Sequence, residues 1–136
     1  MKFLVAFFSL VSLSALACPK FSSEYGNCVS NNPDKLRESK TIKIVQKGLK
    51  GKSIVSLMTG DIYAKSLIVG EETGIKVKSV KGDADTSCED DTLRIELSKF
   101  YIPLGSIELR KDDKKLVVNY ENLVNGIREE VVCDAL

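Results

Sequence analysis

The sequence contains no histidine, the side chain that most often serves as a general base or a metal ligand. No serine lies in a Gly-x-Ser-x-Gly or Ser-x-x-Lys pattern, which would mark an esterase-type or penicillin-binding-type nucleophile. An enzyme would therefore have to work with carboxylates, lysine or tyrosine. We expect a non-enzymatic protein without a cofactor, and a carboxylate-based hydrolase is the third-ranked alternative.

An excess of basic charge is also missing. The chain of 136 residues has 20 Lys and Arg and 19 Asp and Glu, for a net charge of +1. A protein that binds nucleic acid needs a basic surface to neutralise phosphates. The near-neutral balance therefore argues against a nucleic acid partner.

Long apolar runs are absent except at the N-terminus, and that run is short. Lys2 precedes the apolar segment 3–13, and Ala15-Leu16-Ala17 supplies the small residues that a signal peptidase requires. A membrane-spanning helix needs about 20 apolar residues. We predict a signal peptide over 1–17 and a single β domain over 18–136. Bacterial-type Sec export would then place this domain in the periplasm or outside the cell, with no transmembrane segment after cleavage.

The four cysteines are Cys18, Cys28, Cys88 and Cys133. An even number in a short exported chain predicts two disulfides, and spacing alone leaves three pairings open. We favour Cys18–Cys28 with Cys88–Cys133, because the first two lie close together on a terminal segment that needs anchoring. The oxidised state also argues against a thiolate nucleophile or a zinc site.

Cleavage after Ala17 would make Cys18 the first residue of the mature protein, which is where a bacterial lipoprotein carries its lipid. The sequence Ala15-Leu16-Ala17-Cys18 departs from the usual lipobox, which has Leu three residues before the cysteine. Lipidation would also leave an odd thiol in an oxidising compartment. A lipid anchor at Cys18 is therefore the minority alternative.

Segments of alternating apolar and polar residues recur about every ten residues, as in an antiparallel sandwich or barrel. They lie at 41–46, 53–59, 62–69, from residue 75 onward, and at 92–98, 107–110, 116–121 and 127–133. Asn125-Gly126 predicts a two-residue type I′ hairpin turn. Residues 33–40 are the only segment that favours a short helix. We predict an all-β antiparallel meander of about eight or nine short strands, forming a disulfide-stapled barrel or half-barrel.

This layout resembles the lipocalin-like barrels. Lipocalins carry Gly-x-Trp on their first strand, and the nearest match here is Ser23-Glu24-Tyr25, which differs at both ends. The resemblance implies a ligand-binding role only where such a barrel closes around a cavity.

An acidic segment is the one candidate for a metal site. Asp83, Asp85, Glu89 and Asp91 lie at alternate positions, as do the ligands of an EF-hand loop. However, Cys88 occupies the position of the turn glycine, and Arg94 replaces the bidentate glutamate. We expect a solvated acidic loop, with weak calcium binding as the alternative.

Two further features could contact a partner. Phe100, Tyr101, Pro103 and Leu104 belong to an apolar segment in an expected loop, which would contact protein if exposed and would close the barrel end if buried. A basic stretch could form a patch for an anionic lipid surface or an acidic protein. Its members are Lys35, Arg37, Lys40, Lys43, Lys47, Lys50 and Lys52.

The leading hypothesis is an exported binding protein that holds a small apolar ligand in its barrel. The second is a protein-interaction module, such as an inhibitor or an envelope-assembly factor. A cavity of about 300 Å³ or more, lined by inward apolar residues, would favour the first hypothesis. The aromatics Tyr63, Phe100, Tyr101 and Tyr120 could line such a pocket or belong to the core.

Overall fold

The computed structural model describes residues 18–21, 24–31, 41–49, 51–59, 62–77 and 80–136. This part of the chain contains ten strands: β1 (Glu24–Ser30), β2 (Ile42–Leu49), β3 (Lys52–Thr59), β4 (Ile62–Ile68), β5 (Glu72–Val77), β6 (Val80–Glu89), β7 (Thr92–Lys99), β8 (Ile102–Asp112), β9 (Lys115–Asn122) and β10 (Arg128–Ala135). The expected signal peptide over 1–17 and the expected helix over 33–40 lie outside the described residues.

The strands form a closed antiparallel barrel in which each pairs with its sequence neighbours, and β1 also pairs with β10. The all-β prediction is confirmed, with ten strands in place of eight or nine. The two unpredicted strands are β1 and β6. Strand β1 contains Gly26 and Asn27, residues typical of turns, within a register irregularity between Gly26 and Val29. Strand β6 carries the acidic segment that was expected to be a loop.

Antiparallel order places successive connections at opposite ends of the barrel. We call the end with the β2–β3, β4–β5, β6–β7 and β8–β9 turns the strap end. The tip end carries the β1–β2, β3–β4, β5–β6, β7–β8 and β9–β10 connections.

The inward side chains of successive strands form one apolar core. Leu57, Leu93 and Leu109 are each at most 1% exposed and are joined by buried side chains from the other strands. Burying a leucine contributes roughly 1.5–3 kcal/mol relative to leaving it in water. The alternation along each strand, with apolar residues inward, therefore accounts for the barrel.

The disulfide pairing differs from the favoured one. Cys18 pairs with Cys88 and Cys28 pairs with Cys133, so every described cysteine is oxidised. Barrel closure explains the difference, because it places β1 beside β10 and so brings Cys28 to Cys133. Since the Cys18 sulfur is bonded to Cys88, it is not free to carry a lipid.

The β9–β10 hairpin is present, but the predicted turn type was wrong. The strands end at Asn122 and resume at Arg128, and Gly126 alone in this connection has a positive φ, of 73°. The Asn122 side-chain oxygen accepts a hydrogen bond from the Val124 backbone N–H at 2.9 Å, which favours a longer loop. Asn125-Gly126 is therefore part of a wider turn and does not form a two-residue one.

Candidate functional site

The middle of the barrel is packed with side chains. The inward residues Leu67, Ala84 and Val118 are 0% exposed, so no water-sized space borders them. Thr86 lies among them, also 0% exposed, and its hydroxyl oxygen has no hydrogen-bond partner among the described residues. A ligand site in this part of the chain must therefore lie toward an end of the barrel.

A cleft of about 530 Å³ opens at the strap end. Its lining combines residues from both faces of β2 and from the strap-end half of β3 with a segment that precedes β1. We call this segment, residues 18–21, the N-terminal strap. The lining residues are Cys18, Lys20, Phe21, Ile44, Val45, Gln46, Lys47, Gly48, Ser53 and Val55.

Three interactions hold the strap across the barrel end. The Cys18–Cys88 disulfide joins it to β6 on the opposite side of the opening. The Gln46 side chain contacts the strap twice: its Nε2 donates to the Pro19 carbonyl oxygen and its Oε1 accepts from the Phe21 N–H, both at 2.8 Å. The Phe21 ring is half-buried against the core. The strap is thus tied on both sides and forms one wall of the cleft.

The cleft is amphipathic. Ile44 and Val55 are at most 2% exposed and supply an apolar floor, and Phe21 adds an aromatic wall. Lys20 and Lys47 are exposed at its rim, and neither has an ion-pair partner among the described residues. A ligand with an apolar tail and an anionic group at one end matches this arrangement, because its tail would contact the apolar floor and its charged group would contact the two lysines.

A second, smaller depression of about 220 Å³ lies on the outer face of β2, β3 and β4. Its lining includes Val45, Ile54, Met58 and Lys65, and it shares Lys47 with the rim of the strap-end cleft. Pockets that bury a small molecule have volumes of about 300–1,000 Å³. The strap-end cleft falls in this range and the outer depression does not.

The residues of the acidic segment do not converge. Asp83, Asp85 and Glu89 lie along β6 and Asp91 lies in the following turn. A strand rises about 3.3 Å per residue, which separates Asp83 from Glu89 by roughly 20 Å. In the ranges that the structure describes, no group of three His, Cys, Asp or Glu side chains is arranged to hold a metal ion. The acids occupy outward positions of a strand. Because outward positions recur at every second residue, the strand itself explains the alternate spacing that resembled an EF-hand loop.

The apolar segment at the β7–β8 connection is exposed. Phe100 is 80% and Tyr101 is 97% exposed, Pro103 is also exposed, and Leu104 is half-buried at the start of β8. Tyr120 is half-buried against the core. The side chain of Tyr63 lies outside what the structure describes. Phe100 and Tyr101 therefore face solvent and do not line the cleft.

The basic stretch is described in part. Lys43 and Lys47 are exposed on β2, and Lys52 pairs with Glu71 at 3.0 Å. The remaining members, Lys35, Arg37, Lys40 and Lys50, lie outside the described residues. Lys47 is the member that reaches the cleft.

Ionic contacts on the outer barrel face do not create an acid–base site. Arg94 on β7 donates to Glu96 at 3.0 Å and also pairs with Glu108. The hydrogen bond with Glu96 is the main cause that raises the pKa of Arg94. The carboxylate-hydrolase hypothesis requires two converging buried acids, whereas the buried polar residues in the described part of the chain are Ser30 and Thr86. That hypothesis finds no site among them.

Sequence reasoning missed most of the cleft. Lys47 was identified only as part of a basic stretch, and Lys20, Phe21 and Gln46 were not singled out. One signal could have identified Gln46: it is a polar residue at an inward position of an otherwise apolar pattern, after Ile42 and Ile44. Its role requires the strap to cross the barrel end, and the sequence pattern does not show that crossing.

Solved structures share this fold. As-p18, described as an extracellular fatty acid binding protein, aligns with a TM-score of 0.64 at 16% identity, over 85% of this chain and 96% of that chain. The REP1-NXSQ fatty acid transporter gives 0.62 at 11% identity, covering 85% and 95%. A point mutant of the fluorescent protein UnaG gives 0.61 at 15% identity, covering 85% and 96%. At these identities the likeness shows the fold alone.

No protein-family model matches the sequence, and no curated protein is significantly similar to it. Among the described residues there is no helix long and apolar enough to cross a membrane.

Proposed function

We propose that this chain is an exported, non-enzymatic carrier of a small apolar ligand with an anionic head group, of the fatty acid class. The ligand would lie in the strap-end cleft with its apolar chain on Ile44 and Val55. Its head group would pair with Lys20 and Lys47. The observation that carries the proposal is one cleft of suitable volume that combines a buried apolar floor with two rim lysines, neither of them ion-paired within the described ranges.

The fold comparisons support the ligand class. One of the similar structures is described as a fatty acid transporter and another as an extracellular fatty acid binding protein. One feature of this chain matters for the site: the middle of its barrel is filled by its own side chains. We therefore place the ligand at the strap end, where a chain can enter beside the N-terminal strap without displacing the packed core.

Export fits the same site. Two disulfides favour an oxidising compartment such as the periplasm or the exterior. Cleavage after Ala17 would also leave a free ammonium group on Cys18, which lines the cleft. That charge would join the lysines at the rim and strengthen the attraction for an anionic head group.

The test is a competition titration on the oxidised protein purified after export. A dansyl-labelled fatty acid serves as the fluorescent probe, and hexadecanoate and hexadecanol compete for its site. We expect hexadecanoate to displace the probe and hexadecanol, which has no charge, to compete more weakly. The variant K20Q/K47Q should lose about fivefold or more in affinity, since two exposed charge pairs contribute up to roughly 1 kcal/mol each.

The matched control is K111Q/K114Q, which removes two exposed lysines that lie at the same end of the barrel but do not line the cleft. It should bind the probe as the wild type does. Equal competition by the acid and the alcohol, or equal losses in the two double variants, would refute the assignment of the head group to Lys20 and Lys47. Failure of the wild type to bind the probe at all would refute the carrier function.

A further inference from the structure

The largest exposed apolar side chains of the barrel lie mostly at its tip end. Phe100, Tyr101 and Ile102 at the β7–β8 turn are 80%, 97% and 64% exposed. In the β9–β10 connection, Leu123, Val124 and Ile127 are 54%, 76% and 52% exposed. The two tips are neighbours, since the Leu123 N–H donates to the Leu104 carbonyl oxygen at 3.0 Å. Together they form one protruding surface, which we call the apolar tips.

The β7–β8 turn is strained. Phe100 and Tyr101 have positive φ values of 50° and 65°, and both form a two-residue turn between the paired residues Lys99 and Ile102. Such a turn favours Asn-Gly, because bulky residues are outliers in the left-handed region. Every other described residue with a positive φ is Asn, Asp, Ser or Gly. Two aromatic rings are thus held in an unfavourable conformation and project into water, which indicates a role outside the fold's own stability.

The charges within the tips themselves are basic, while the acids beside them lie on the strands: Arg128 pairs with Glu121 of β9 at 3.5 Å, and Glu129 and Glu130 follow it on β10. Lys99 lies beside the first tip, with its Nζ 5.8 Å from the centre of the Phe100 ring, and Arg128 follows the second tip. Segments 99–104 and 123–128 contain no acidic residue. Lys76 and Lys81 are exposed and lie opposite each other in the β5–β6 hairpin, whose connection lies at this same end.

We propose that the apolar tips dock on an anionic lipid bilayer. Aromatic and aliphatic side chains at the tips would enter the boundary between head groups and acyl chains, and Lys99 and Arg128 would contact the anionic head groups. The tips protrude from the barrel and have cations at their base. Such a surface fits a lipid bilayer, because the lipids can rearrange around the inserted side chains. The strap-end cleft lies at the opposite end of the barrel and would face away from the membrane. The proposal is therefore independent of what the cleft binds.

The test is co-sedimentation of the oxidised protein with vesicles of phosphatidylcholine alone and of phosphatidylcholine mixed with phosphatidylglycerol. We expect binding to the mixed vesicles that weakens at high salt. F100N/Y101G, which supplies the residues that the turn favours, should lower the partition coefficient about tenfold or more, given the apolar area removed. The matched control is Leu136→Ser, which removes an apolar side chain that is 70% exposed and follows β10 at the strap end. It should bind normally.

Two further variants separate the contributions. L123S/V124S alters the second tip without touching the strained turn and should also weaken binding. K99Q/R128Q should cost about fivefold per charge on anionic vesicles and little on neutral ones. No sedimentation with the mixed vesicles, or undiminished binding by F100N/Y101G, would overturn the proposal. A second result would also overturn it: the wild type does not bind the vesicles, and size-exclusion chromatography shows a dimer that F100N/Y101G abolishes. The apolar tips would then contact a second copy of this chain and not a membrane.

Discussion

Replacing the aromatic pair of the β7–β8 turn is predicted to stabilise the fold. Phe100 and Tyr101 both have positive φ and are at least 80% exposed, so they contribute strain and little burial. Asn-Gly is the pair that a two-residue turn with positive φ at both positions favours. The variant F100N/Y101G should therefore have a larger free energy of unfolding than the wild type.

The magnitude follows from three opposing effects. The left-handed conformation costs an ordinary residue about 1–2 kcal/mol; because Gly removes this cost and Asn removes only part of it, the two replacements relieve roughly 2–3 kcal/mol. Loss of the Lys99–Phe100 cation–π contact costs about 0.5 kcal/mol at an exposed site. The added glycine costs about 0.5–1 kcal/mol through the entropy of the unfolded chain. The net stabilisation is about 1 kcal/mol.

Urea unfolding of the oxidised protein, followed by circular dichroism, measures this difference. The midpoint should rise while the slope stays unchanged, and the melting temperature should increase by roughly 3–6 °C. The control is Asp90→Asn in the β6–β7 turn, where φ is 54° and both residues tolerate that conformation. It should change stability by less than about 0.5 kcal/mol. A midpoint for F100N/Y101G equal to or below that of the wild type would refute the strain argument.

Three further predictions concern the packing of the barrel and its disulfides. Gly105→Ala should lower the free energy of unfolding by about 2 kcal/mol or more in urea unfolding, because the new Cβ would collide with the Glu121 carbonyl oxygen. Gly74→Ala is the control and should be nearly neutral, since a Cβ at Gly74 has no atom within 4 Å. Thr86→Val should raise the free energy of unfolding by about 1 kcal/mol in the same assay, because it removes a buried hydroxyl that has no hydrogen-bond partner among the described residues. A loss of stability would show that this oxygen has a bonding partner in solution. Mild reduction should open the half-exposed Cys18–Cys88 disulfide of the strap before the buried Cys28–Cys133 disulfide that joins β1 to β10. Alkylation and mass spectrometry would show which pair opens first, and the reverse order would contradict the strap geometry.

Much of the fold could be predicted from alternation, because the inward face of each strand is apolar. The exceptions have identifiable causes. Strand β6 has Gly82, Ala84 and Thr86 on its inward face, too small or polar to give an apolar pattern, and acids on its outward face. It therefore resembled a loop. Strand β1 is irregular around Asn27, whose φ is 51°, and so its turn-like composition reflects a distortion within a strand.

The disulfide pairing could not be predicted because proximity along the chain is a poor guide to proximity in a closed barrel. The observed pairs span 70 and 105 residues. On the chain-entropy model, loops of this length contribute roughly 4–5 kcal/mol each, more than the short Cys18–Cys28 loop would have contributed. Closure of the barrel decides the pairing, and alternation within single strands does not report closure.

The site was less accessible to sequence reasoning than the fold. Lys47 and the exposed segment around Phe100 were identified, but the cleft depends on the strap crossing the barrel end. That crossing rests on the Cys18–Cys88 disulfide and on the two hydrogen bonds of Gln46. Each of these joins residues far apart in sequence, so no local pattern predicts them.

The central claim is that the strap-end cleft holds one amphiphilic ligand. Native mass spectrometry of the oxidised protein, incubated with a mixture of hexadecanoate and hexadecanol, tests it most directly. We predict a single hexadecanoate adduct per chain, strongly reduced in K20Q/K47Q and retained in K111Q/K114Q. A spectrum of the wild type with no retained lipid, or with acid and alcohol retained equally, would contradict the claim.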